Sequence, residues 1–178
     1  MPRRRMWSRR KRTRAAISAA RKSSTLCHDW CGGAESQQER KKAEMVSRHA
    51  SCRCGSLAAT VTGAPVSVHA CSCLACQRDS GSAFTYTAFF PESAVAAIEG
   101  DHRKWRRIAD SGRWTDSFFC PTCGATVFRR WEALPGVFGV PVGCFADPSF
   151  VPPAKLYFSS QRHSWLAVPE SVEAVDTQ

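Results

Sequence analysis

His69-Ala70-Cys71-Ser72-Cys73-Leu74-Ala75-Cys76-Gln77-Arg78 is the stretch around which the chain is arranged. It sets three cysteines within six residues, spaced C-x-C-x-x-C. A second pair lies upstream in Cys52-Arg53-Cys54-Gly55, and a third group downstream in Cys120-Pro121-Thr122-Cys123-Gly124. Seven cysteines grouped this tightly read as metal ligands. Thiolates at one- and two-residue spacing can converge on one zinc ion at about 2.3 Å each. Disulfides fit such spacing poorly, because the Cα separation and the S–S torsion are restrictive.

The rest of the composition is consistent with that reading. At 178 residues there is room for one domain with its own core. Ten cysteines would suit a disulfide scaffold only in a secreted chain, and residues 1–24 lack the apolar segment of a signal peptide. No apolar run approaches the length that crosses a bilayer, so no membrane is expected as a partner. In a reducing compartment the cysteine pattern favours metal, and the expected location is cytoplasmic.

The net charge of +10 is unevenly spread. Residues 1–44 hold 13 Lys/Arg against 4 Asp/Glu, a surplus of +9. Residues 45–178 hold 12 against 11, a surplus of +1. Residues 1–46 read as a disordered basic extension, with Met45 a possible true start. The competing readings are a mitochondrial-type presequence over residues 1–24 and a basic arm for polyanions. Cys27-His28-x-x-Cys31 has no strand or helix signal beside it and reads as free thiols. Nucleic acid is not expected as a partner, since the cysteine-bearing part carries almost none of the surplus.

From Ser51 onward the pattern is mainly β. Strands are expected at Ser51–Cys54, Ser56–Thr62, Val66–Cys73 and Phe84–Phe90, with breaks at Gly63-Ala64-Pro65 and Gly81-Ser82. A short helix is expected over Pro91–Ile98, ended by Gly100. Arg103–Ala109 and Arg113–Phe119 read as a hairpin around Asp110-Ser111-Gly112. The second arm runs straight into Cys120-x-x-Cys123-Gly124, a zinc-knuckle layout. Further strands are expected at Thr126–Trp131, Val137–Phe145 and Lys155–Phe158. The expected architecture is an antiparallel β fold with little helix.

Seven thiolates suit two sites. Cys52 and Cys54 with Cys120 and Cys123 would close a four-thiolate structural site. Cys71, Cys73 and Cys76 would then form an open site with one position free. The alternative has all seven in structural roles with His69 as the eighth ligand, since His69, Cys71 and Cys73 share strand parity. Three thiolates acidify a bound water less than three imidazoles do. Such a site is better suited to capturing a substrate thiol as its thiolate, which could then add to a small aldehyde.

The order Cys52-x-Cys54-Gly55, Cys71-x-Cys73-x-x-Cys76-Gln77-Arg78 with Gly81-Ser82, then Phe119-Cys120-x-x-Cys123-Gly124, resembles the glutathione-dependent formaldehyde-activating enzyme family, which includes the centromere protein V-like proteins. Asp147-Pro148, Lys155-Leu156-Tyr157 and Trp165 extend the likeness, which covers roughly residues 47–175. The resemblance implies a zinc-bound β-tent fold over residues 47–178 and two zinc ions. It implies structural roles for Cys52, Cys54, Cys120 and Cys123, and a reactive zinc held by Cys71, Cys73 and Cys76. It also implies carbon–sulfur lyase-type chemistry on a thiol adduct of formaldehyde or another small aldehyde, with glutathione as the expected thiol partner. Members often carry His where this chain has Ser72.

Single residues add less. Arg78 could hold a substrate carboxylate. Phe84, Tyr86, Phe89 and Phe90 read as core aromatics of a strand. Arg103-Lys104-Trp105-Arg106-Arg107 alternates its charges over both faces of a strand, as an exposed edge does. Cys144 reads as a small buried hydrophobe, and His163 and Trp165 as packing residues. The competing function is a non-catalytic zinc module that binds a protein or polyanion through the basic extension. Nothing in the residues signals an oligomeric state.

Overall fold

The structure, a computed structural model, describes residues 46–177. The readings of the basic extension and of Cys27, His28 and Cys31 fall outside the described residues. Within them the chain is mainly β, with one α-helix. The strands are β1 (Ser47–Ser51), β2 (Ala58–Thr62), β3 (Ser67–Cys71), β4 (Thr85–Pro91), β5 (Val95–Glu99) and β6 (Arg103–Ile108). They continue with β7 (Trp114–Phe119), β8 (Thr126–Trp131), β9 (Leu134–Pro141), β10 (Lys155–Tyr157) and β11 (Glu173–Val175). The helix α1 spans Leu74–Ser80.

Two sheets result. A three-stranded sheet has the order β1-β2-β5, and an eight-stranded sheet the order β11-β10-β3-β4-β9-β8-β7-β6. One buried cluster draws on both: Ala50, Leu57, Ala59 and Val61 from the small sheet meet Val68, Phe90, Phe128, Phe138 and Val140 from the large one. Alternation along the strands sends every second side chain inward. Register then places Phe118 beside Phe128 and Phe90 beside Phe138. The rings stack across strands, at 4.5 Å for Phe118–Phe128 and 5.0 Å for Phe128–Phe138. Each fully buried phenylalanine contributes roughly 1.5–3 kcal/mol by leaving water. The opposite face of the large sheet carries a second row in register: Trp105, Ser117, Arg129, Gly139 and Phe89.

Several local expectations give way. The first strand is Ser47–Ser51, ahead of Cys52, and Cys52–Gly55 is the turn that follows it. β3 ends at Cys71, so Cys73 lies outside the strand and caps α1. Pro91–Ile98 is no helix: one 3-10 turn at Glu92–Ala94 leads into β5, which pairs with β2. Val95 and Ile98, both β-branched, pair there with Val61 and Ala59. Val137–Phe145 divides at Pro141, after which Val142–Phe145 is a 3-10 turn. The sheet is not wholly antiparallel, because β10 runs parallel to β3 and to β11. Trp165 does not pack; it is 71% exposed. Among the described residues no helix is long and apolar enough to cross a membrane.

Gly100 fixes how the small sheet closes. Its φ is +88°, and a Cβ there would stand 1.8 Å from the Ser56 carbonyl oxygen. Neither atom can swing away, because the clash is with backbone. Gly100→Ala is expected to cost at least about 2 kcal/mol of stability in urea denaturation. Gly112→Ala, at φ +79° with open space around it, should cost only about 1 kcal/mol.

Candidate functional site

Two hairpin turns build the first cluster. Cys52 to Leu57 reverses the chain between β1 and β2, with Cys52 N donating to Leu57 O at 2.9 Å and Gly55 N to Cys52 O at 3.0 Å. Cys120 to Ala125 repeats the device between β7 and β8, with Cys120 N donating to Ala125 O at 3.0 Å and Gly124 N to Cys120 O at 2.9 Å. Gly55 and Gly124 take the left-handed conformation that lets each turn close, at φ +78° and +74°. The turns bring Cys54 Sγ to 3.5 Å from Cys52 Sγ and 3.7 Å from Cys120 Sγ. All four sulfurs, with that of Cys123, lie within 4.8 Å of one another. Tetrahedral zinc with sulfur at 2.3 Å needs sulfurs about 3.8 Å apart, so the donor set fits the ion. The Ser56 hydroxyl and backbone N–H pull the Cys54 thiol down to about 6.

The second cluster comes from one short stretch. Cys71 ends β3, and Cys73 is the N-cap of α1, its Sγ accepting from Cys76 N at 3.4 Å. The three sulfurs lie within 4.8 Å of one another, and no fourth Cys, His, Asp or Glu ligand atom joins them among the described residues. Glutamine side chains fix the bend. Gln77 Nε2 donates to Ser72 O at 2.7 Å and to Gln161 O at 3.0 Å, while Leu74 N donates to Gln161 Oε1 at 3.0 Å. Ser72 is wholly buried, and its hydroxyl has no partner.

Electrostatics within this cluster are uneven. The hydrogen bond between Cys71 and Cys76, with burial, pushes the Cys71 thiol well above the ordinary range. The same bond, then those with Thr85 and Cys73 and the charge of Arg129, hold Cys76 down at about 6. A proton shared by the two sulfurs is thus favoured on Cys71 over Cys76.

His69 lies apart from both clusters. It sits on β3 between Phe89 and Tyr157, with both ring centroids 5.3 Å away. Burial, then the nearby Lys155 charge, lowers its pKa. Arg78 lies in the last turn of α1, exposed, and forms no ion pair among the described residues. Cys144 is half-buried: its Sγ donates to Thr126 O at 3.3 Å, and burial pushes its thiol up to about 11. Phe89 and Phe90 are buried, while Phe84 and Tyr86 are only partly so. Tyr86 helps to line a surface hollow of about 420 Å³ with Val142, Asp147 and Phe150.

Sequence reasoning missed Arg129. Its side chain is 6% exposed, donates to Asp79 of α1 at 2.5 Å, and contacts Ser117 Oγ at 3.3 Å. The only hint in the sequence is an Arg sharing strand parity with apolar Val127 in Thr126–Trp131. Gln161 was missed too, since its role depends on a contact 87 residues distant.

The family model described as glutathione-dependent formaldehyde-activating enzyme matches residues 47–161. A crystal structure of a Rhodobacter sphaeroides protein is similar over 59% of this chain and 91% of its own, at 20% identity and a TM-score of 0.44.

Metal loading of the second cluster must displace the Cys71 proton. The affinity of that site for zinc is therefore expected to rise with pH, by at least about tenfold per unit near neutrality. Competition against a zinc chelator at two pH values, with proton release followed in weak buffer, checks the sign and the slope.

Proposed function

We propose, on the premise that the chain belongs to the glutathione-dependent formaldehyde-activating enzyme family, that it is a zinc-dependent carbon–sulfur lyase-type enzyme acting on thiol adducts of a small aldehyde. Glutathione is the expected thiol and formaldehyde the simplest aldehyde. In the synthetic direction the thiol sulfur forms a bond to the carbonyl carbon. The carbonyl π pair moves to oxygen, which takes the proton that the thiol gave up. The reverse reaction breaks the same bond.

One observation carries the proposal. Cys71, Cys73 and Cys76 gather three sulfurs, and no fourth protein ligand joins them among the described residues. Zinc held by Cys71, Cys73 and Cys76 would have room for a further, non-protein ligand and would lower the pKa of an incoming thiol. The protein's part is to hold the three sulfurs still. Cys71 is anchored by the β3–β4 ladder, Cys73 by its cap on α1, and the intervening bend by Gln77 and Gln161. His69 is held between two rings, where burial disfavours its charged form. Cys52, Cys54, Cys120 and Cys123 take the structural zinc in this account. The catalytic domain is taken as residues 47–178. The family match ends at residue 161, and β11 beyond it pairs with β10 and completes the sheet.

Cys73→Ser gives the cleanest test, because serine also caps a helix and leaves α1 supported. Native protein is expected to hold two equivalents of zinc and the variant one, with unchanged far-UV circular dichroism. In cobalt-substituted protein, glutathione should shift the thiolate-to-metal absorption, and in Cys73→Ser it should not. An unshifted native spectrum at full metal content would overturn the proposal.

A further inference from the structure

We infer that Arg129 is a positioning residue of the three-cysteine site: it pins α1 through Asp79 and so holds the sulfurs of Cys73 and Cys76 in the arrangement that receives a substrate thiol. The inference rests on the proposal that a substrate thiol binds there.

Arg129 is the one Lys or Arg side chain in the buried class among the described residues. A guanidinium is kept out of water only where partners repay its lost hydration. Here Nη2 donates to Asp79 Oδ2 at 2.5 Å, and Nε donates to Ser117 Oγ at 3.3 Å. Asp79 lies on α1 three residues after Cys76, so the two occupy one side of the helix. The ion pair thus ties β8 to the element that carries Cys76 and is capped by Cys73.

Register supports the same placement. Arg129 pairs with Gly139, Gly139 with Phe89, and Phe89 shares its face of β4 with Thr85. Thr85 is the partner of Cys71. Arg129 and Cys71 therefore project from one face of the large sheet, opposite the stacked phenylalanines. α1 buries none of its own residues, so its attachment to the sheet rests on polar contacts, and the Asp79–Arg129 pair is one of them.

The test uses full-length cobalt-substituted protein with three variants, Arg129→Gln, Arg129→Lys and Asp79→Asn. Each is read for cobalt equivalents and for the glutathione concentration that half-shifts the absorption. Arg129→Gln is expected to keep both cobalt equivalents and to need at least about tenfold more glutathione. Arg129→Lys should recover most of that loss, because a lysine ammonium can still pair with Asp79. Asp79→Asn keeps the guanidinium but frees it from α1, and should weaken glutathione binding with both metals still present. Native protein that ignores glutathione would sink the proposed function itself. Native protein that responds, with Arg129→Gln or Asp79→Asn within twofold of it, would sink only the role of Arg129. Loss of one cobalt equivalent in both Arg129 variants would sink that role as well, since Arg129 would then serve metal retention and not the placement of a bound thiol. If Arg129→Gln does not fold, Arg129→Lys and Asp79→Asn decide by the same two measurements.

Discussion

Four sulfur atoms join the two sheets at their turns. Cys52 and Cys54 sit on the hairpin of the small sheet, Cys120 and Cys123 on that of the large one, and Cys54 meets Cys120 across 66 residues of sequence. Without an ion these groups oppose one another, since thiolates crowd and repel. With a divalent ion between them they close a long loop, and closing a long loop removes much unfolded-chain entropy. The apolar cluster shared by the two sheets would add to such an ion's hold on them. Cys120 belongs both to the metal cluster and to that apolar core, and it is fully buried. The core and the metal site are therefore one cooperative unit.

How far the sequence reveals this depends on where each signal comes from. The two knuckles were legible because cysteine spacing and a following Gly encode a turn locally. The hairpin of β6 and β7 and the limits of β8 were legible for the same local reason. α1 was not: none of its seven residues is buried, so it shows no apolar period. β1 was hidden by its polar run Ser47-Arg48-His49, whereas β10 was legible at Lys155–Phe158. Its parallel pairing with β3 is set by the path of the chain, which no local pattern reports. Among the proposed ligands the sulfur groupings were readable, whereas Arg129 and Gln161 act through contacts 50 and 87 residues away.

Charge separates the domain from the extension. The +9 surplus over residues 1–44 leaves the rest of the chain close to neutral. Even the basic run on edge strand β6 is partly consumed. Arg106 donates twice to Asp116, at 2.6 and 2.8 Å, and lies over the Trp114 ring at 4.2 Å. Lys104 stands 3.6 Å from the same carboxylate. The hydrogen bond from Arg106 holds Asp116 below the usual carboxylate range. Pairing of this kind ties Lys104 and Arg106 into the sheet edge. It also blunts an otherwise unpaired strand.

The two clusters differ in what an ion could do for the fold. The four-cysteine cluster spans two hairpins, so its ion restrains chain segments far apart in sequence. The three-cysteine cluster draws every ligand from six consecutive residues. An ion there closes only a very short loop, and the entropy it removes is correspondingly small. Its bend is already held by Gln77, Gln161 and the Arg129–Asp79 pair. Three sulfur groups kept this close, with burial and mutual repulsion opposing their charged forms, are electrostatically costly. Since loop closure returns little for that cost, the arrangement is better explained by a ligand it receives than by the fold it supports. That asymmetry favours assigning the thiol chemistry to Cys71, Cys73 and Cys76 and the structural role to the other four.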